Sequence, residues 1–208
     1  MQPCVFSIQS LLWVSSCCCW RLFELNMYSP PVDLSFKNLS NVAGALAELP
    51  RSLLRPLTTN SKGKYLSCSL RLSNNSLTDL VGLQYTINHF FAQPSKLGWL
   101  DLSFNKIVCI EPVLCELKEL RVLYLHGNSI WNLSEVDKLR ELQHLHTITL
   151  HGNLIETSKG YRNYVISVLP QLKTMDFSGV TRDERVMADI WRSHGTKKTP
   201  RSLSVSAE

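Results

Sequence analysis

The chain has 208 residues, 44% of them hydrophobic and 19% charged, a composition that suits one globular domain or one domain with tails. Its net charge of +5 is mild, and no RNA-binding signature or long basic stripe accompanies it, so nucleic acid is not read as a partner. The seven cysteines are odd in number and match no zinc spacing or disulfide framework.

Residues 1–26 differ from the rest. The apolar run Leu11 to Trp20 is too short to span a bilayer, and no basic residue precedes it as a secretory signal requires. The segment reads as a disordered or alternative N-terminal extension, with Met27 as an alternative start. Cys17, Cys18 and Cys19 offer a site for acylation, the one route by which a membrane would enter. The structured domain is expected over 27–195. It opens with Val32-Asp-Leu34-Ser-Phe-Lys-Asn-Leu39, the start of a degenerate N-terminal cap over 32–50, whose short helix from Val42 is stopped by Pro50. The polar run 55–64 is a loop.

Leu70-Arg-Leu72-Ser-Asn-Asn75-Ser-Leu77 lies within a repeat near 67–80, with Ser67 where an opening leucine belongs. A helix is expected over Gln84 to Phe91, with Ile87, Phe90 and Phe91 packed inward. One pattern is then written three times, near 97–110, 120–133 and 145–158. The copies are Leu97-Gly-Trp-Leu100-Asp-Leu102-Ser-Phe-Asn105-Lys-Ile107, Leu120-Arg-Val-Leu123-Tyr-Leu125-His-Gly-Asn128-Ser-Ile130 and Leu145-His-Thr-Ile148-Thr-Leu150-His-Gly-Asn153-Leu-Ile155. Each reads L-x-x-L-x-L-x-x-N-x-L, the signature of a leucine-rich repeat. From Asn75 the asparagines are 30, 23 and 25 residues apart.

A C-terminal cap is expected over 161–195. Tyr161 to Leu169 has helical spacing and stops at Pro170. Leu172-Lys-Thr-Met175-Asp-Phe177-Ser-Gly-Val180 reads as a last repeat with Val180 in the asparagine position. Thr181-Arg-Asp-Glu184 is a capping box opening a helix, whose Val186, Met187, Ile190 and Trp191 are expected to cover the open end of the stack. Residues 196–208 read as a disordered tail.

These repeats predict an α/β leucine-rich repeat solenoid, with a curved parallel sheet on the concave face and helices and turns on the convex face. Along a strand alternate side chains share a face, so Leu100 and Leu102 and their counterparts point inward together. No repeat can bury that face alone; stacked copies share one core. The asparagine leaves the strand where backbone groups need partners, and supplies them.

Residues alternating with the leucines face the concave surface in columns. One column is Arg71, Asp101, Tyr124, Thr149, Asp176. A second is Ser69, Trp99, Val122, Thr147, Thr174, and a third is Ser73, Ser103, His126, His151, Ser178. Arg71, Trp99, Asp101, Phe104, Tyr124, His126, Thr149 and His151 are therefore the candidate protein-binding residues, since exposed aromatics centre protein interfaces. The alternative is that Phe104 or Trp99 turns inward and packs. His126 and His151 recur at one place in successive repeats, but no third metal ligand is evident. No nucleophile elbow or phosphate cradle is present, so neither catalysis nor a cofactor is expected.

The blocks Tyr161-Arg-Asn-Tyr, Leu169-Pro-Gln-Leu172 and Asp176-Phe-Ser-Gly-Val180-Thr resemble the C-terminal cap of intracellular leucine-rich repeat proteins. That group includes phosphatase regulators, a spliceosomal subunit and axonemal proteins. The resemblance implies a non-catalytic, cytoplasmic adaptor that binds a protein partner, set by analogy in a cilium or axoneme. The alternative is a regulatory subunit of a phosphatase or of an axonemal motor complex.

Overall fold

The computed structural model describes residues 29–51 and 54–195. The N-terminal extension with Cys17 to Cys19 and the tail 196–208 lie outside the described residues. One sheet holds seven strands in chain order: β1 (Val32–Asp33), β2 (Ser69–Arg71), β3 (Trp99–Asp101), β4 (Val122–Tyr124), β5 (Thr147–Thr149), β6 (Thr174–Met175) and β7 (Ser178–Gly179). The first six run parallel and β7 returns antiparallel.

The register places Val32, Leu70, Leu100, Leu123, Ile148 and Met175 side by side. All six are fully buried. Each such side chain contributes about 2 kcal/mol through burial. The asparagines tie neighbouring repeats together. Asn128 donates to the Leu102 and Leu125 carbonyls at 3.0 and 2.9 Å and accepts from the Ile107 N–H at 3.0 Å. Asn75, Asn105 and Asn153 bridge their neighbours in the same way.

Repeat length sets the convex side. The interval of 30 residues accommodates a true α-helix, α1 (Leu83–Phe90). The shorter intervals carry 3-10 turns, Pro112–Glu116 and Leu133–Glu141. A 3-10 turn rises about 2.0 Å per residue against about 1.5 Å in an α-helix, so fewer residues cross the same height. Ile87, Phe90 and Phe91 are buried as the spacing predicts.

The C-terminal end departs from expectation. After α2 (Tyr161–Val168), the last repeat forms its parallel strand, β6, and then turns back as a hairpin. Asp176 and Phe177 join β6 to β7 as a two-residue turn, with φ of 49° and 61°. Positive φ at both positions is the mark of a type I′ turn, whose twist matches that of paired strands. Val180 therefore takes no asparagine place, and Ser178 leaves its column. Asp176 acts instead, its Oδ1 accepting from the Leu150 and His151 N–H groups at 2.7 and 3.0 Å.

The last helix, α3 (Arg182–Gly195), opens on the capping box: the Thr181 N–H donates to Glu184 at 2.8 Å, and the Glu184 N–H to the Thr181 hydroxyl at 3.2 Å. The helix packs on α2, and its apolar face is only partly covered. Val186, Met187, Ile190 and Trp191 remain 38–54% exposed, while Ala188 is buried. Buried Ala188, the Trp191 ring 5.6 Å from that of Tyr164, and polar bonds hold α3 in place. Arg185 reaches the Pro170 and Leu172 carbonyls, and Arg162 of α2 pairs with Glu184 at 2.6 Å.

Candidate functional site

The tetrapeptide Asp-Leu-Ser-Phe occurs twice, as Asp33 to Phe36 and Asp101 to Phe104. Both copies fold alike. The aspartate Oδ1 accepts the serine N–H and hydroxyl, at 2.9 and 2.6 Å in the first copy and 3.0 and 2.6 Å in the second. This local bond takes the chain off the strand. The following phenylalanine adopts a left-handed backbone, φ 58° at Phe36 and 52° at Phe104. Its ring points outward, 64% and 54% exposed respectively. Other repeats put Asn74, Gly127 and Gly152 at this position, residues suited to positive φ.

Phe177 on the hairpin turn is a third outward phenylalanine with positive φ, 55% exposed. It leans over the concave face, with ring centres 5.7 Å from Tyr124, 5.6 Å from His126 and 5.5 Å from His151. Trp99 meets Tyr124 edge-on at 5.6 Å, and Phe104 meets His126 at 5.0 Å. Together with Arg51, Asp33, Arg71 and Asp101, the rings of Phe36, Phe104, Tyr124 and Phe177 border a cleft of about 510 Å³.

The sheet register sets a charged row across the cleft floor. Asp33 of β1 stands beside Arg71 of β2, which stands beside Asp101 of β3. The guanidinium lies 3.6 Å from Asp33 Oδ2 and 3.4 Å from Asp101 Oδ2, and 5.3 Å from the centre of the Trp99 ring. Tyr124 continues the row, its phenol pushed upward first by burial.

Seven of the eight sequence-selected residues expose some surface or border the cleft, and Phe104 and Trp99 do not pack into the core. Thr149 differs: it is fully buried, and its hydroxyl lies 2.7 Å from His126 Nδ1. It positions the imidazole from below. Asp101 is also nearly covered, at 7%. His126 and His151 stack face to face, 4.8 Å apart and 7° from parallel. Their ring nitrogens lie in parallel planes and do not converge on one point, unlike ligands sharing a metal. Burial, then the neighbouring His151, lowers the His126 pKa and so favours the neutral imidazole.

Phe36, Arg51 and Phe177 stand outside the predicted columns. Phe36 was legible through the repeated Asp-Leu-Ser-Phe. Phe177 stands where the repeat pattern has its second inward leucine, and the turn that exposes it is a tertiary feature. Arg51 stands outside any repeat and carries no motif.

Stacked parallel strands, an asparagine ladder and a lined concave face define the class. The chain belongs to the leucine-rich repeat family, whose profile matches residues 68–204, and it is built as a protein-interaction module. Among its relatives is Leucine-rich repeat-containing protein 51 of Mus musculus, 46% identical over 172 residues that cover 83% of this chain and 90% of the relative. The Homo sapiens protein of that name is 44% identical over the same shares. The fold is similar to that in the crystal structure of the Drosophila melanogaster SNF/U2A′ complex, with a TM-score of 0.53 and 23% identity, covering 84% of this chain and 86% of that one.

Proposed function

We propose that the chain is a non-catalytic adaptor that seats a segment of a partner protein in the concave aromatic cleft. One observation carries this reading: Phe36, Phe104 and Phe177 all hold left-handed backbone while exposing their rings around one cleft. Each such position costs about 1–2 kcal/mol for a residue with a Cβ. Half-exposed rings return only part of that cost to the fold. Strain kept at one surface is a mark of a binding site.

The stacked rings and the hydrogen-bonded His126 also lower the ordering cost of binding. A role as a subunit of a larger assembly is the second reading. It is favoured by likeness to the U2 small nuclear ribonucleoprotein A′ of Arabidopsis thaliana, 33% identical over 121 residues that cover 58% of this chain and 45% of that protein.

The test is a triple variant of the full chain, Phe36→Asn, Phe104→Asn and Phe177→Gly. Each replacement suits positive φ, so relief of strain offsets the lost ring contacts and the midpoint of thermal unfolding stays within a few degrees. Affinity capture from ciliated-cell lysate, read by mass spectrometry, should lose specific partners with the variant. An unchanged partner set from a well-folded variant places binding elsewhere and ends the concave reading.

A further inference from the structure

The charges of the cleft are unevenly exposed. The side chains of Asp33 and Asp101 are only 5% and 10% accessible. Each gives Oδ1 to its serine and turns Oδ2 toward Arg71. Arg71 lies across both carboxylates with its side chain 36% exposed. Arg51 is exposed, lies 5.2 Å from the centre of the Phe36 ring, and donates to the Ser35 hydroxyl at 3.2 Å. It has no carboxylate within ion-pair distance among the described residues. The negative groups are thus beneath and the positive groups at the mouth. Ser35 and Asp33 link the two guanidinia, since the Ser35 hydroxyl that accepts from Arg51 also donates to Asp33.

The geometry points to a protein segment that carries a carboxylate beside a large apolar side chain, with the apolar group among Phe36, Phe104 and Phe177 and the carboxylate against Arg51 and Arg71. This assignment rests on the concave reading above and names the chemistry of its occupant. Aromatic faces alone would also attract a cation. A cationic segment, however, meets two guanidinia before it reaches either covered carboxylate, and like charges repel at that range. An anionic segment meets planar, weakly hydrated donors suited to a carboxylate. Arg51 is the group with charge to spare, because Arg71 already faces two acids.

The experiment uses the full chain and three fragments sharing one ring: N-acetylphenylalaninate (anionic), N-acetylphenylalaninamide (neutral) and phenethylammonium (cationic). Binding is followed by NMR through the ring resonances of Phe36, Phe104 and Phe177. The anionic fragment should bind about fivefold more tightly than the neutral one, as for an exposed ion pair, and the cationic one most weakly. The preference should shrink at about 0.5 M salt. R51Q should erase most of it, weakening the anionic fragment several-fold more than the neutral one. Equal or tighter binding of the neutral or cationic fragment at the cleft overturns the acidic occupant and keeps the concave site. So does an undiminished anionic preference in R51Q. If no fragment moves the ring resonances, the acidic occupant and the concave site fall together.

Discussion

Gly127 lies directly beneath the ring of Phe104. A Cβ built there would meet Phe104 Cδ1 at 2.7 Å, and the backbone stands at φ 67°. The outward ring of one repeat thus depends on a glycine in the next. Gly127→Ala should destabilise the chain by about 1–2 kcal/mol, because a left-handed alanine is strained and the ring must move. With Phe104→Asn in the background the steric part disappears, so the two substitutions should cost less together than their sum. Denaturant unfolding of both single variants and the double variant measures that coupling. Additive costs would show that the ring and the glycine are independent.

At the scale of the element, Arg162 of α2 is the hub of the C-terminal end. It bonds the Met175 and Gly179 carbonyls of the hairpin at 3.1 and 3.3 Å as well as Glu184 of α3. This arginine, then the Thr181 N–H, holds the Glu184 carboxyl at about 2. A carboxyl whose folded pKa is depressed stabilises the fold above its unfolded value, about 4.3, and loses that contribution as pH falls toward 2. Docking of α3 should therefore weaken across that acid window. Hydrogen exchange over 182–195, measured against the amides of β4, reads it. E184Q should reduce protection at neutral pH and remove the acid-dependent step. A step unchanged in E184Q would assign the acid response to another group. The capping box itself was legible in Thr181 and Glu184. The exposure of Val186, Met187, Ile190 and Trp191 was not, because helical periodicity shows that a face is apolar and says nothing of what it meets.

At the scale of the whole molecule, stability passes from repeat to repeat through shared contacts. Asn128 lies in the middle of this array, 8% exposed, and satisfies backbone groups of its own repeat and of the preceding one. Asn128→Ala should lower unfolding stability by about 3 kcal/mol, since it leaves several buried groups without partners. Chemical denaturation checks this, and a loss below about 1 kcal/mol would mean that the groups find other partners. The array was readable because each repeat writes the same inward pair and the same asparagine. Leu100, Leu123 and Ile148 fell into register as their spacing predicted. The cleft was only half readable. Trp99 and Tyr124 follow from strand alternation and Phe104 from the repeated Asp-Leu-Ser-Phe, whereas Phe177 reaches the cleft by a turn whose φ values no repeat pattern encodes.

That turn also limits how long the sheet can grow. A stack of parallel strands is an open lattice, and its last strand offers unpaired backbone groups to any further strand, including one from another molecule. Here the Asp176 carboxylate takes the Leu150 and His151 N–H groups, and β7 folds back antiparallel along β6. The C-terminal edge is thereby reduced to the two residues of β7. The two residues Asp176 and Phe177 fix the length of the array with one side chain and place an aromatic ring in the cleft with the other.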